Sequence, residues 1–263
     1  MNAEKVTNHI VAWLKDYALK AKGNGFVVGI SGGIDSAVTS TLCAMTGLEV
    51  LCVEMPIHQG ENQISRGKEH INQLKDRFNN IKSEETELTA VFETFKNTLP
   101  STDNIDKLNL SLANTRARLR MTTLYYFAGI HGLLVAGTGN KVEDFGVGFY
   151  TKYGDGGVDI SPIADLLKSE VFQLAKYLKV PDSIQNAQPT DGLFGDSRTD
   201  EDQLGASYDE LEWAMKQYDS GKQKSDYTGR KLEVFTIYSK LHKANLHKMV
   251  PIPVCEINED LKK

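Results

Sequence analysis

Cysteine is scarce in this 263-residue sequence: Cys43, Cys52 and Cys255 are an odd number without CxxC spacing, which disfavours both a disulfide framework and a zinc site. Cys43 and Cys52 lie inside apolar runs and read as small core residues. Long apolar runs are missing as well. The stretch Gly132-Leu133-Leu134-Val135-Ala136 has the length of a strand, far from the roughly 20 residues of a bilayer span, so no membrane segment is expected. The start, Met1-Asn2-Ala3-Glu4-Lys5, leads into an amphipathic pattern instead of a basic-then-apolar leader, and a cytoplasmic protein is expected. Positive charge is not in excess. Thirty Lys and Arg face 35 Asp and Glu, a net charge of −5, so there is no global cationic field for nucleic acid, while a local basic site for a phosphorylated small molecule stays open. Internal repeats, low-complexity segments and a domain boundary are lacking too, and one domain over 1–263 is expected.

What is present is an alternation of helices and strands. Val6, Ile10, Trp13, Leu14 and Tyr17 recur at helical spacing and predict a first helix ending near Gly23-Asn24-Gly25. Phe26 to Ile30 is a short apolar strand, Ser36 to Thr46 a helix closed by Gly47, and Glu49 to Glu54 a second strand stopped before Pro56. That order is the grammar of a parallel sheet wound with helices. Polar helices are predicted over about 61–79 and from Leu88 to Leu99. Leu110 to Ile130 reads as a long helix, apolar around most of its circumference, and so buried on more than one side in the core or against a second subunit. Leu133 to Ala136 is another buried strand, followed by the turn Gly137-Thr138-Gly139-Asn140 and an irregular loop, Gly146 to Asp159, of the length that carries function. A helix from Leu166 to Leu178, a polar loop from Gln185 to Gln203 and helices near Tyr208–Tyr218 and Leu232–His242 complete the chain.

The loop after the first strand, Ser31-Gly32-Gly33-Ile34-Asp35-Ser36, has the composition of a phosphate cradle. Its glycines let backbone N–H groups approach an anion at a helix N-terminus, and Ser31 and Ser36 add hydroxyls. The lysine of a Walker A loop is missing and Asp35 stands inside the turn. A carboxylate beside phosphates is repulsive unless a cation lies between them, which makes Asp35 a candidate Mg²⁺ ligand. A bare Gly-Gly pair would read as an ordinary turn; the full hexapeptide between an apolar strand and a helix reverses that preference.

The hexapeptide resembles the pyrophosphate loop of the N-type ATP pyrophosphatases, the group containing GMP synthetase, asparagine synthetase and NAD synthetase. Asn114 to Met121 (Asn-Thr-Arg-Ala-Arg-Leu-Arg-Met), Gly137 to Glu143 (Gly-Thr-Gly-Asn-Lys-Val-Glu) and Thr151 to Gly157 (Thr-Lys-Tyr-Gly-Asp-Gly-Gly) resemble, in order, the motif set of ammonia-dependent NAD synthetases. The resemblance runs from about Gly29 to Tyr208, with a weaker echo at His247-Lys248. It implies an open, doubly wound, Rossmann-like parallel sheet of the adenine nucleotide alpha hydrolase kind. It also implies ATP-dependent amidation of deamido-NAD by free ammonia through an adenylated carboxylate, giving NAD, AMP and pyrophosphate.

By the same resemblance Gly29, Ile30, Ser31, Gly32, Gly33, Ile34, Asp35, Ser36, Thr138, Lys168 and Thr190 would contact ATP. Asp35 and Glu143 would share Mg²⁺, and Arg118, Lys152, Asp159, His247 and Lys248 would hold deamido-NAD. Asp35, Glu143 and Lys168 are the expected catalytic trio. Arg116 and Arg120, four residues apart, share a helix face that excludes Arg118. A homodimer with substrate at the interface is expected. Glutamine is not expected as the nitrogen donor, because the glutamine-using relatives carry a further amidase domain. The sequence departs from the pattern at Pro189-Thr190-Asp191-Gly192-Leu193, at Pro56 to Glu61 and in a longer spacing from Glu143 to Lys152. Two other readings are a ligase of the same fold that amidates nicotinate mononucleotide, and a nucleotide sensor without chemistry.

Overall fold

The computed structural model describes residues 1–100, 102–190 and 199–263. Helix α1 (Ala3–Lys20) starts on the side chain of Asn2, which accepts from the Lys5 N–H, and leads into strand β1 (Gly25–Gly29). Helix α2 (Ile34–Met45), strand β2 (Glu49–Glu54), helix α3 (Glu61–Arg77), strand β3 (Ile81–Glu85) and helix α4 (Thr89–Thr98) follow. The 27-residue helix α5 (Ile105–His131) ends at Gly132 in the left-handed conformation and delivers the chain to strand β4 (Leu133–Val135). After a π-helical turn (Val142–Val147) come α6 (Lys168–Tyr177), the short α7 (Asp182–Gln185) and α8 (Asp200–Leu204), then α9 (Tyr208–Asp219) and α10 (Gly229–Met249).

Four strands form a wholly parallel sheet in the order β3-β2-β1-β4, and Ile160 adds a parallel bridge beside Ala136. The open, doubly wound parallel sheet read from the sequence is thus the fold observed. Side chains alternate between its faces. Phe26, Val28, Val50 and Cys52 pack under α1, α2, α3 and α6, while Val27, Leu51, Val53 and Val135 pack against α4 and α5. A third apolar cluster joins the π-helical turn to α8, α9 and α10 through Val142, Val147, Leu211, Val234 and Tyr238. Cys43 and Cys52 are buried free thiols, as expected of core residues. Among the described residues no helix is long and apolar enough to cross a membrane.

Three elements differ from the sequence reading. The contact face of α1 is Thr7, Ile10, Leu14 and Ala18, whereas Trp13 and Tyr17 stand exposed with their rings 5.6 Å apart. Strand β3, Ile-Lys-Ser-Glu-Glu, went unpredicted because a polar edge strand carries almost none of the apolar alternation by which strands are recognised. Helix α5 buries Ala113, Ala117 and Ala128 in this chain and leaves Leu110, Tyr126 and Ile130 exposed. Of the departing segment at 189–193, Asp191, Gly192 and Leu193 lie outside the described residues.

Candidate active site

The strand order turns between β1 and β4: the chain steps from β1 outward to β2 and β3, then returns to the other side of β1. At such a switch point the loops beyond the strand ends diverge and leave a crevice. A cavity of about 260 Å³ occupies that place, close to the lower end of ordinary small-molecule sites, roughly 300–1,000 Å³. Every residue from Gly29 to Ser36 lines it, together with Thr138, Glu143, Lys168 and Thr190.

The cradle is knitted internally. Ser36 Oγ donates to the Gly33 carbonyl (3.0 Å) and accepts from the Ser31 N–H (3.3 Å), and Ser31 Oγ accepts from the Gly33 N–H (3.2 Å). Gly33 is the N-cap of α2 and offers no side chain to the first-turn N–H groups, which leaves those donors for an anion. Gly32 has φ +77°, and a Cβ there would lie 2.4 Å from the Gln63 carbonyl oxygen on α3, so only glycine fits.

Behind the cradle stands a buried ion cluster. Lys168 Nζ, on a side chain only 3% exposed, donates to Asp35 Oδ2 at 2.5 Å and to Glu143 Oε1 at 3.0 Å. Burial disfavours the ammonium, but the two carboxylates outweigh that and hold its pKa above the ordinary lysine value. Asp35 is shifted upward, chiefly by burial, with Lys168 opposing. Asn140, fully buried, joins the two acids: its Nδ2 donates to Asp35 Oδ1 (3.2 Å) and its Oδ1 accepts from the backbone N–H groups of Val142 and Glu143 (3.2 Å each). Tyr208 donates to Glu143 Oε1 at 2.6 Å. Glu143 sits on the π-helical turn, a form that recurs at functional sites. Asp144, next along that turn, lies so close to Gly139 that a Cβ there would meet its carboxylate oxygen at 2.2 Å. Burial, with Glu143, Asp155 and Asp35 nearby, raises the Asp144 pKa to about 8.

Asp35 and Glu143, two carboxylates converging beside the cradle, are hard oxygen donors of the kind that would suit Mg²⁺. Among the described residues no group of three or more His, Cys, Asp or Glu could hold a metal ion.

The other expected contacts gather around a neighbouring loop. Arg118 donates to the Lys152 carbonyl (3.3 Å), and Lys152 Nζ donates to the His247 carbonyl (2.7 Å). Lys248 Nζ donates to the carbonyls of Gly148 (2.8 Å) and Tyr150 (2.7 Å). Asp159 is set apart. Its oxygens accept from Tyr125 Oη (3.0 Å) and the Val135 N–H (2.8 Å), which ties α5 to β4. Arg116 and Arg120 do share a direction: Arg116 lies over the Phe92 ring at 4.3 Å and Arg120 donates to the Met55 carbonyl at 3.0 Å.

Residues 6–251 match the NAD synthase family. The chain belongs to that family. It is 38% identical to the NH(3)-dependent NAD(+) synthetase of Methanocaldococcus jannaschii, over 97% of each chain. Its identity to the enzyme of the same description from Methanosarcina acetivorans is 34%, over 98% of this chain and all of the other. Among solved structures, the NMN synthetase of Francisella tularensis superposes with a TM-score of 0.84 at 31% identity, over 98% of this chain and all of that one. The family read from four motif blocks is therefore the family found. Asn140, Asp144 and Tyr208 were missed by the sequence reading of this NAD synthase chain. Asn140 carried a signal, since it closes the Gly137–Asn140 turn already singled out, whereas Tyr208 is one tyrosine among ten and carries none.

Proposed function

We propose that this chain joins deamido-NAD and ammonia at the expense of ATP, releasing NAD, AMP and pyrophosphate. The observation that carries the reading is the Asp35–Lys168–Glu143 cluster facing the Ser31–Ser36 cradle in a member of the NAD synthase family. A carboxylate is a poor electrophile and needs activation. An oxygen of the nicotinate carboxylate attacks the α-phosphorus, the bond to the β-phosphate oxygen breaks, and pyrophosphate leaves. Ammonia then attacks the carboxyl carbon of the adenylate, AMP departs, and the surplus proton passes to solvent.

The cradle's N–H groups and the N-terminus of α2 hold the phosphates, and Lys168 supplies positive charge where negative charge grows on the leaving group. Asp35 and Glu143 would hold Mg²⁺, which when bound neutralises the triphosphate and stabilises pyrophosphate. Asn140 and Tyr208 orient the two acids. Most of the catalysis is positioning and charge neutralisation. Arg118, Lys152, His247 and Lys248 surround the loop on which the dinucleotide is proposed to lie. Asp159 belongs there only if it exchanges its contacts with Tyr125 and Val135. Free ammonia is the proposed nitrogen donor and a homodimer the proposed working unit. A second reading, amidation of nicotinate mononucleotide, is supported by the likeness to the Francisella NMN synthetase.

The deciding assay incubates the purified protein with Mg-ATP, ammonium and either deamido-NAD or nicotinate mononucleotide, and measures dinucleotide, AMP and pyrophosphate together. Equal amounts of NAD, AMP and pyrophosphate from deamido-NAD are expected, and none when glutamine replaces ammonium. Turnover of the mononucleotide alone would transfer the mechanism to the second reading. Absence of ATP cleavage with both acids would leave only a nucleotide sensor.

A further inference from the structure

Arg66 is a cavity-lining cation without a place in the scheme above. It projects from α3 and lines the same cavity as the cradle, and its Nε donates to the Gly32 carbonyl at 3.2 Å. That anchor is firm because the backbones of α3 and the cradle touch, as the 2.4 Å approach of the Gln63 oxygen to a Cβ at Gly32 demonstrates. The side chain is partly buried, and among the described residues its two terminal guanidinium nitrogens have no hydrogen-bond or ion-pair partner. A guanidinium gripped through Nε presents its remaining N–H groups as a fork, the geometry that matches two phosphate oxygens. Lys168, by contrast, enters from α6, which packs against α2, and spends its charge on Asp35 and Glu143. Lys168 shares its one positive charge with two carboxylates, so by itself it does not balance the charge that grows on a leaving pyrophosphate, and a second cation beside it is called for.

We propose that Arg66 is a further phosphate-binding residue of this site, contacting the departing pyrophosphate from the α3 side while Lys168 flanks the cradle from the α6 side. The inference rests on the ATP-splitting reading of the cavity. Arg66 bonds the carbonyl of the residue whose backbone forms the cradle, so its charge is already aimed and little rotamer freedom is lost when the anion arrives.

The test is calorimetric binding of magnesium pyrophosphate and, separately, AMP to the wild-type chain, Arg66→Gln and Arg66→Lys, with thermal melting of each. Charge-assisted pairs of this kind set the scale of the expected loss, about tenfold or more in pyrophosphate affinity for Arg66→Gln, with AMP affinity and melting unchanged. Arg66→Lys should recover part of it, since the charge returns without the fork. Unchanged pyrophosphate affinity would overturn the proposal. So would equal losses of pyrophosphate and AMP with a lowered melting temperature, the mark of a residue that only props the loop. Binding is read without turnover. A wild-type chain that binds pyrophosphate yet amidates neither acid would sink the proposed function and leave the Arg66 result standing.

Discussion

At the scale of single residues, the proposed chemistry rests on how Lys168 divides itself between Asp35 and Glu143. The ammonium is 3% exposed and 2.5 and 3.0 Å from the two acids, so removal of either carboxylate leaves a buried charge partly compensated and takes away one hard ligand. Asp35→Asn and Glu143→Gln should each lower pyrophosphate release by about a hundredfold or more and raise the Mg²⁺ concentration needed for half-maximal rate. The measurement is pyrophosphate release against Mg²⁺ concentration for both variants. A variant with an unaltered Mg²⁺ curve would lose its assignment as a ligand. That Asp35 and Glu143 would face one cavity was legible because each stands at a strand-end turn with an unusual neighbour, Gly32-Gly33 in one case and Gly137-Thr138-Gly139 in the other. Asn140 was half legible and Tyr208 not at all. A hydrogen bond from residue 208 to residue 143 is a product of tertiary packing, and no local pattern encodes it.

Whole elements were recovered where burial imposes a period and lost where it does not. Strands β1 and β2 are apolar because both their faces are covered, and the sequence displays them. Strand β3 lies at the sheet edge, and the turn at 142–147 winds as a π-helix, whose spacing no heptad template matches. Helix α3 shows a further cost of polar elements. It presses against α2 through Ile71, Leu74 and a histidine, His70, that is wholly buried. His70 Nε2 meets Ser40 Oγ on α2 at 2.8 Å, while its Nδ1 has no hydrogen-bond partner among the described residues. Burial, and then the charge of Arg77, lowers its pKa to about 4. The unfolded chain, with histidine near 6.5, therefore binds more protons than the folded chain between those two values. Stability contributed by neutral His70 is complete above pH 6.5 and drains away as pH falls toward 4. Between pH 7.5 and 5.0 this amounts to about 2 kcal/mol, the linkage expected of such a shift. Denaturant melts at the two pH values should show that loss in the wild type and much less of it in His70→Gln. Equal acid losses in the two proteins would mean that His70 is not the responsible group.

For the molecule as a whole, α5 presents an uncovered apolar face. The sequence pattern predicts burial on more than one side, yet the chain alone fully buries only Ala113, Ala117 and Ala128 of α5, half-buries Leu112, Leu119, Leu124 and Phe127 against the core, and leaves Tyr126 63% and Ile130 58% exposed. Those two residues are four apart and share one helix face. Arg118 also projects from α5, toward the loop of Lys152, so a second copy seated on this helix would lie beside the residues proposed to hold the dinucleotide. A stable pair buries roughly 1,200–2,000 Å² in total, about half from each partner, and the exposed face of this 27-residue helix would supply part of that half. Sedimentation should therefore report twice the 29.2 kDa chain mass for the wild type. A charge placed in the strip, Tyr126→Glu with Ile130→Glu, should shift the protein to monomer, because an unpaired carboxylate cannot be buried against an apolar partner without a cost of several kcal/mol. If the dinucleotide site is completed by the second copy, the KM for the dinucleotide rises in that variant while pyrophosphate affinity, read on the cradle of one chain, stays constant. A wild-type monomer with full activity would remove both the dimer and the shared site; a monomeric variant with unaltered KM would keep the dimer and return the site to one chain.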